Sequence, residues 1–89
     1  MNIPEQIRAK LAVLEPSVLD LRDDSAKHVG HAGAATGGGH YCLQIVSERF
    51  VGLNSVARHR LVYEILGEMM RHEIHALAIE ARTPGEANS

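Results

Sequence analysis

Cysteine and long apolar runs are scarce in this sequence of 89 residues. Cys42 is the single cysteine, which excludes an internal disulfide and an all-thiolate metal site within one chain. No apolar run reaches the roughly 18 residues of a membrane-spanning helix, and the first residues lack the apolar core of a secretory signal. We therefore expect a cytoplasmic protein with no membrane association.

Aromatic residues and excess positive charge are also lacking. The aromatics are Tyr41, Phe50 and Tyr63, too few for a protein that reads nucleic acid by stacking bases. The formal net charge of −2 argues against a strongly basic nucleic-acid or membrane-surface protein. With 45% hydrophobic and 22% charged residues, the composition is that of one small globular domain.

Histidine and glycine are what the sequence has in quantity, with six and eight residues. Imidazoles bind transition metals, so the histidines permit imidazole-based metal binding. Most of the glycines fall between Asp23 and His40, in the stretch DDSAKHVGHAGAATGGGH. We predict a loop there, and loops of this length in compact domains are usually functional or disordered.

The hydrophobic spacing predicts helices and strands on either side of that loop. They are a helix capped by Asn2 and ended by Pro16, strands over 18–22, 41–47 and 75–82, and one or two helices over 56–71. In the second strand, Cys42 alternates onto the face opposite Tyr41 and is expected to be a small buried apolar residue. The predicted domain covers 1–85, and residues 86–89 are expected to fray. Three strands with helices on one face make an α+β two-layer sandwich.

Four segments, in order, resemble BolA-like proteins: LDLRDDSAKHVGH, HYCLQIVSERFVG, VARHRLVYEIL and IHALAIEARTP. The resemblance covers nearly the whole chain, and the loop sequence HVGHAGA is similar to that of bacterial members. It implies a class II KH-like fold, α-β-β-α-α-β, with a three-stranded mixed sheet. It also implies a partner protein rather than an enzyme. Such proteins are monomers alone and pair with monothiol glutaredoxins of the CGFS type.

The resemblance further implies a [2Fe–2S] cluster shared across that heterodimer, with thiolates from the glutaredoxin and glutathione. His75, in IHAL, matches the family's cluster ligand, although spacing alone leaves it a strand-end histidine that packs or meets solvent. His28, in DSAKH, matches the second ligand, and His31 is its alternate. Both also fit a loop that binds no metal. The implied roles are iron–sulfur cluster trafficking and iron-responsive regulation.

The triplet Arg58-His59-Arg60 supports an alternative function. At a helix start it forms either a basic patch for phosphate or an acidic partner, or a structural contact along the sheet edge. With Phe50-Val51-Gly52 before it, the segment is a candidate helix-turn-helix-like element for weak, salt-sensitive DNA binding. Some bacterial members of the family are linked to transcriptional control of stress genes. The sequence assigns no ligand role to His40 or His72.

Overall fold

The computed structural model describes residues 2–24 and 39–88, whose elements follow the predicted order as far as the last strand. The helices are α1 (Ile3–Leu11), α2 (Ser55–Leu66) and α3 (Pro84–Ala87), and the strands are β1 (Val18–Asp23), β2 (Gly39–Val46) and β3 (Ile74–Arg82). Short 3₁₀ helices cover Ala12–Leu14, Glu48–Phe50 and Gly67–Arg71. Within these ranges no helix has the length and apolar character needed to cross a bilayer.

The strands form one mixed sheet in the order β1-β2-β3. β1 runs antiparallel to β2, with Val18 opposite Val46 and Asp23 opposite Tyr41. β3 runs parallel to β2, and α2 lies in the long connection that parallel pairing requires. The α+β class and the three-stranded mixed sheet are therefore confirmed. The second helix of the predicted pair is the 3₁₀ helix Gly67–Arg71.

A single core lies between the helices and one face of the sheet. Tyr41, Leu43 and Ile45 of β2 are at most 6% exposed. Their partners are apolar residues of the two long helices: Ile7 and Leu11 of α1, and Val62 and Leu66 of α2. The opposite face of the sheet stays exposed at Gln44, Ala78 and Glu80. The alternation predicted for β2 is thus confirmed, and Cys42 lies on the open face.

Local capping fixes where the two long helices begin. The Asn2 side chain accepts a hydrogen bond of 2.9 Å from the Glu5 amide, as predicted. Asn54 does the same for α2, accepting from the Ala57 amide at 2.9 Å. Each bond satisfies an amide that has no partner inside its helix. α2 ends at Gly67, whose φ of +57° stops the regular helix.

A short helix that the sequence does not predict follows β3. The structure assigns Glu86 and Ala87 to α3, and the fraying expected over 86–89 stays a prediction. A capping box begins this helix. The Glu86 amide donates to Thr83 Oγ1 at 3.2 Å, and the Thr83 amide donates to Glu86 Oε1 at 2.9 Å. The sequence T-P-G-E contains this signal, but a four-residue helix is too short to give a periodic pattern.

Candidate functional site

His75 lies in an irregularity at the start of β3. Gly39 pairs with Ile74 and His40 pairs with Ala76, so His75 has no residue opposite it on β2. Such a bulge redirects the side chain of the extra residue and is common beside functional sites. Ile74 is 2% exposed, whereas His75 is classed as exposed. Strict alternation along β3 would put His75 on the same face of the sheet as Leu77 and Ile79. The bulge interrupts this alternation, so His75 does not share their face.

The imidazole of His75 is close to that of His40. Their ring centroids lie 5.0 Å apart, and the ring planes are tilted by 37°. His40 belongs to the same face of β2 as Cys42, so the contact brings His75 to this open face. The sequence gives His40 no ligand role. His40 and His75 are far apart in the sequence, and only the pairing of β2 with β3 reveals that their rings are in contact.

A polar cluster holds Asp24, the residue after β1, against β2. The Cys42 thiol donates to Asp24 Oδ2 at 2.8 Å, and Arg22 Nε lies 3.3 Å from Asp24 Oδ1. The Asp24 amide also donates to the His40 carbonyl oxygen at 2.8 Å. The Cys42 side chain, followed by the Asp24 carboxylate, raises the pKa of Arg22. Cys42 is therefore half-buried and hydrogen-bonded, not the buried apolar residue that the sequence predicts.

The residues on either side of 25–38 are bonded to β2 and to the residue before β3. On one side, Asp24 is bonded to His40 as described. On the other, the Gly39 amide donates to the Glu73 carbonyl oxygen at 3.0 Å. A Cβ at Gly39 would meet the outer end of the Tyr41 ring, so a larger residue at this position requires the ring to shift. The predicted ligands His28 and His31 fall within 25–38 and lie outside the described residues.

Arg58, the first residue of the basic triplet, is committed to contacts within the fold. Its Nε donates to the Leu53 carbonyl oxygen at 2.8 Å, and its NH1 donates to the Ala81 carbonyl oxygen at 3.0 Å. The guanidinium also makes a two-pronged ion pair with Glu86, at 2.6 and 3.1 Å, and lies 6.0 Å from the centre of the Phe50 ring. These bonds hold the pKa of Glu86 at about 2, mainly through the Arg58 hydrogen bond.

His59 and Arg60, the other two residues of the triplet, border different depressions of the surface. His59 is half-buried and lines a cavity of about 390 Å³ together with Arg58 and Glu86. Arg60 is exposed and borders a separate depression beside Glu64. The segment before α2 is the 3₁₀ helix Glu48–Phe50, so these residues do not form the two α-helices of a helix-turn-helix. The triplet is therefore not one continuous basic patch.

The described residues do not complete a metal site by themselves. In residues 2–24 and 39–88, no three histidine, cysteine, aspartate or glutamate side chains are grouped to hold a metal ion. His72 follows the 3₁₀ helix Gly67–Arg71, where its amide donates to the Met69 carbonyl oxygen at 3.3 Å. Any metal centre at His75 therefore needs further ligands, from segment 25–38, from a partner or from water.

Comparison with known proteins identifies relatives over most of the chain. The model of the family described as BolA-like protein matches residues 11–86. BolA-like protein 1 of Mus musculus is 47% identical over 81 residues, which are 90% of this chain and 57% of that protein. The DNA-binding transcriptional regulator BolA of Escherichia coli (strain K12) is 37% identical over 84 residues, 93% of this chain and 77% of that protein.

Solved structures agree with that result. The chain is similar to BolA1 from Arabidopsis thaliana, with a TM-score of 0.83 and 42% identity, covering 97% of this chain and 96% of that one. The chain spans only 57–58% of the length of the mammalian relatives it matches.

Proposed function

The chain belongs to the BolA-like protein family, and we propose that it pairs with a monothiol, CGFS-type glutaredoxin and holds a [2Fe–2S] cluster with it. The observation that carries the proposal is the exposed imidazole of His75 at the bulge. The thiol of Cys42 is hydrogen-bonded to Asp24, so this chain offers imidazole rather than thiolate. The thiolates that such clusters require come from the glutaredoxin and from glutathione.

We assign the second cluster ligand of this chain to His28, with His31 as its alternate. Support comes from the two residues that flank segment 25–38. Asp24 is bonded to the His40 carbonyl at the start of β2, and Gly39 is bonded to the Glu73 carbonyl just before β3. Two imidazoles on one iron are the Rieske arrangement, which raises the reduction potential. The proposed roles are cluster trafficking or iron-responsive regulation.

Reconstitution tests this function. The full chain is mixed with a CGFS glutaredoxin, glutathione, iron and sulfide, and the visible absorption and circular dichroism spectra are recorded. We expect a spectrum that differs from that of the glutaredoxin homodimer, and a return to the homodimer spectrum with His75→Ala. His72→Ala is the matched control, because His72 is exposed but lies outside β3. An unchanged homodimer spectrum, or a His75→Ala variant that behaves like wild type, contradicts the proposal.

DNA binding is the second candidate function, because one relative at 37% identity is named a DNA-binding transcriptional regulator. The structure bears on which residues of Arg58-His59-Arg60 would contact phosphate. Arg58 already donates to Glu86 and to two backbone carbonyls, whereas Arg60 is exposed. If the chain binds DNA through this helix, Arg60 is the residue available to the phosphates.

Measuring the affinity for duplex DNA at several salt concentrations tests whether Arg60 contacts phosphate. We expect Arg60→Ala to weaken binding and to lower the slope of log affinity against log salt by about one, as for loss of one phosphate contact. Arg58→Ala is a poor probe of DNA contact, because it breaks intramolecular bonds. Affinity that survives Arg60→Ala, or that does not fall with salt, rules this function out for the α2 surface.

A further inference from the structure

His40 is not among the cluster ligands proposed above, whereas its ring neighbour His75 is. We propose that these two imidazoles together bind one divalent transition-metal ion, such as Zn²⁺ or Cu²⁺, when the chain is without a second protein. The site joins the second residue of β2 to the bulged residue of β3.

The separation of the rings fits two ligands on one ion. A metal–nitrogen bond of about 2.0–2.1 Å puts the centre of each imidazole roughly 3.2 Å from the metal. At a near-tetrahedral angle, two such rings then have centroids about 5 Å apart. The observed centroid distance is 5.0 Å, with the planes inclined at 37° rather than stacked parallel. This spacing is compatible with one ion held between the two rings.

Both ligands stand on strands of the sheet, His40 on the central strand β2 and His75 at the bulge of β3. β2 is the central strand, paired with β1 on one side and β3 on the other. The His40 carbonyl oxygen accepts from the Asp24 amide at 2.8 Å, which fixes the backbone at this ligand. A site built on strands is held more tightly than one built on loops, so less ordering accompanies metal binding.

The chemistry of the pair selects the class of ion. Neutral imidazole suits zinc, copper and nickel, whereas magnesium and calcium prefer oxygen ligands. The nearby carboxylate of Asp24 is already bonded to Cys42 and Arg22. Two protein ligands leave the remaining positions to water, so the ion is exchangeable and the affinity is below that of a closed four-ligand site.

Titration of Zn²⁺ alone into the full chain at neutral pH, followed by calorimetry, tests the site. We expect one saturable equivalent per chain, with an affinity weakened at least about tenfold by His40→Ala and by His75→Ala, since loss of even an outer-shell partner has effects of this size. His59→Ala and His72→Ala are the matched controls and should bind like wild type. His40→Gln replaces His40→Ala if the latter loses its circular dichroism spectrum.

Nuclear magnetic resonance with Cu²⁺ as a paramagnetic probe gives a second readout. Substoichiometric Cu²⁺ should broaden the ring signals of His40 and His75 before those of His59 and His72. Uniform broadening of all histidines overturns the proposal. So does zinc binding that survives His40→Ala but is lost in His28→Ala or His31→Ala.

The outcome is independent of the glutaredoxin experiment, although both involve His75. Zinc binding that requires His40, together with an unchanged glutaredoxin spectrum, supports this site and removes only the shared cluster. A cluster in the heterodimer, with no zinc binding by the chain alone, supports the shared cluster and removes only the zinc site.

Discussion

At the residue scale, Arg58 joins parts of the fold that are far apart in sequence. Its guanidinium connects the start of α2 to the Leu53 and Ala81 carbonyl oxygens and to Glu86 of α3. The Arg58 side chain is 13% exposed, so its bonds to the two carbonyl oxygens are part-buried, whereas the Glu86 carboxylate is half-exposed. A carbonyl left without its donor in such a place destabilises a protein by about 1–3 kcal/mol. A residue that looks like a phosphate contact in the sequence is therefore a structural one here.

The Glu86 carboxylate makes the stability of the chain depend on pH in a specific window. Its pKa is lowered from 4.5 to about 2 in the folded state, first by the hydrogen bond from Arg58 and then by that from Thr83. A lowered folded-state pKa stabilises the fold above the unfolded-state value, and this contribution disappears as the pH falls toward about 2. We expect Glu86→Gln to be less stable than wild type in urea at pH 6, with the difference shrinking between pH 4.5 and 2.

The double variant supplies the control for this pH dependence. Because the Arg58 hydrogen bond is the main cause of the shift, Glu86→Gln should have little pH-dependent effect in an Arg58→Met background. A difference between wild type and Glu86→Gln that stays constant from pH 6 to pH 2.5 shows that the ion pair does not form in solution.

At the element scale, the end of α2 sets where β3 and its histidine begin. Gly67 has φ +57° and ψ −128°, a conformation that side-chain-bearing residues rarely adopt. It stops the α-helix, and the tighter 3₁₀ helix Gly67–Arg71 carries the chain to Ile74. The sequence pattern leaves one or two helices open over 56–71 and cannot place a break, because the hydrophobic pattern continues through Met69.

Gly67→Ala tests the importance of this break. Space is not the obstacle, since a Cβ there meets nothing within 4 Å, but the backbone conformation is strained for alanine. We expect a loss of about 1–3 kcal/mol in the free energy of unfolding by urea titration. Gly85→Ala is the matched control, because Gly85 has no positive φ, and it should be near neutral. Equal stability of the two variants means that another backbone path connects α2 to β3.

At the scale of the whole molecule, the hydrophobic core between the helices and one face of the sheet stabilises the fold. Leu43, at the centre of β2, is 1% exposed and belongs to the single buried cluster. A chain of this size buries only about 60% of the surface that its unfolded form exposes. Damage to this core therefore affects the whole molecule, including the bulge that holds His75.

Leu43→Ala should lower the free energy of unfolding by about 2–5 kcal/mol, from lost burial and the cavity left behind. That is a large part of the roughly 5–15 kcal/mol available to a small domain, so the thermal midpoint should fall steeply. Val13→Ala is the control, since Val13 is 63% exposed and its truncation should be nearly neutral. A Leu43→Ala variant with the wild-type midpoint contradicts the single-core description.

Features that depend on a few neighbouring residues could be predicted from the sequence. The caps at Asn2 and Asn54, the alternation through Tyr41 and Leu43, and the α+β order all follow from local preferences. The short helix α3 was missed because four residues carry no period. The sequence pattern does not predict the environment of Cys42, because Asp24 contacts it from the end of the neighbouring strand β1.

The sequence by itself determined the family, the element order and the shortage of thiolate, and it named His75 as a candidate ligand. Tertiary structure alone decided the rest of the site's geometry. The bulge opposite Gly39 and His40 turns His75 toward the open face, and the parallel register of β2 and β3 brings His40 beside it. The same holds for Arg58 and Glu86, whose ion pair joins α2 to α3. Such contacts depend on how strands and helices pack, and the local sequence pattern does not encode the register between distant strands.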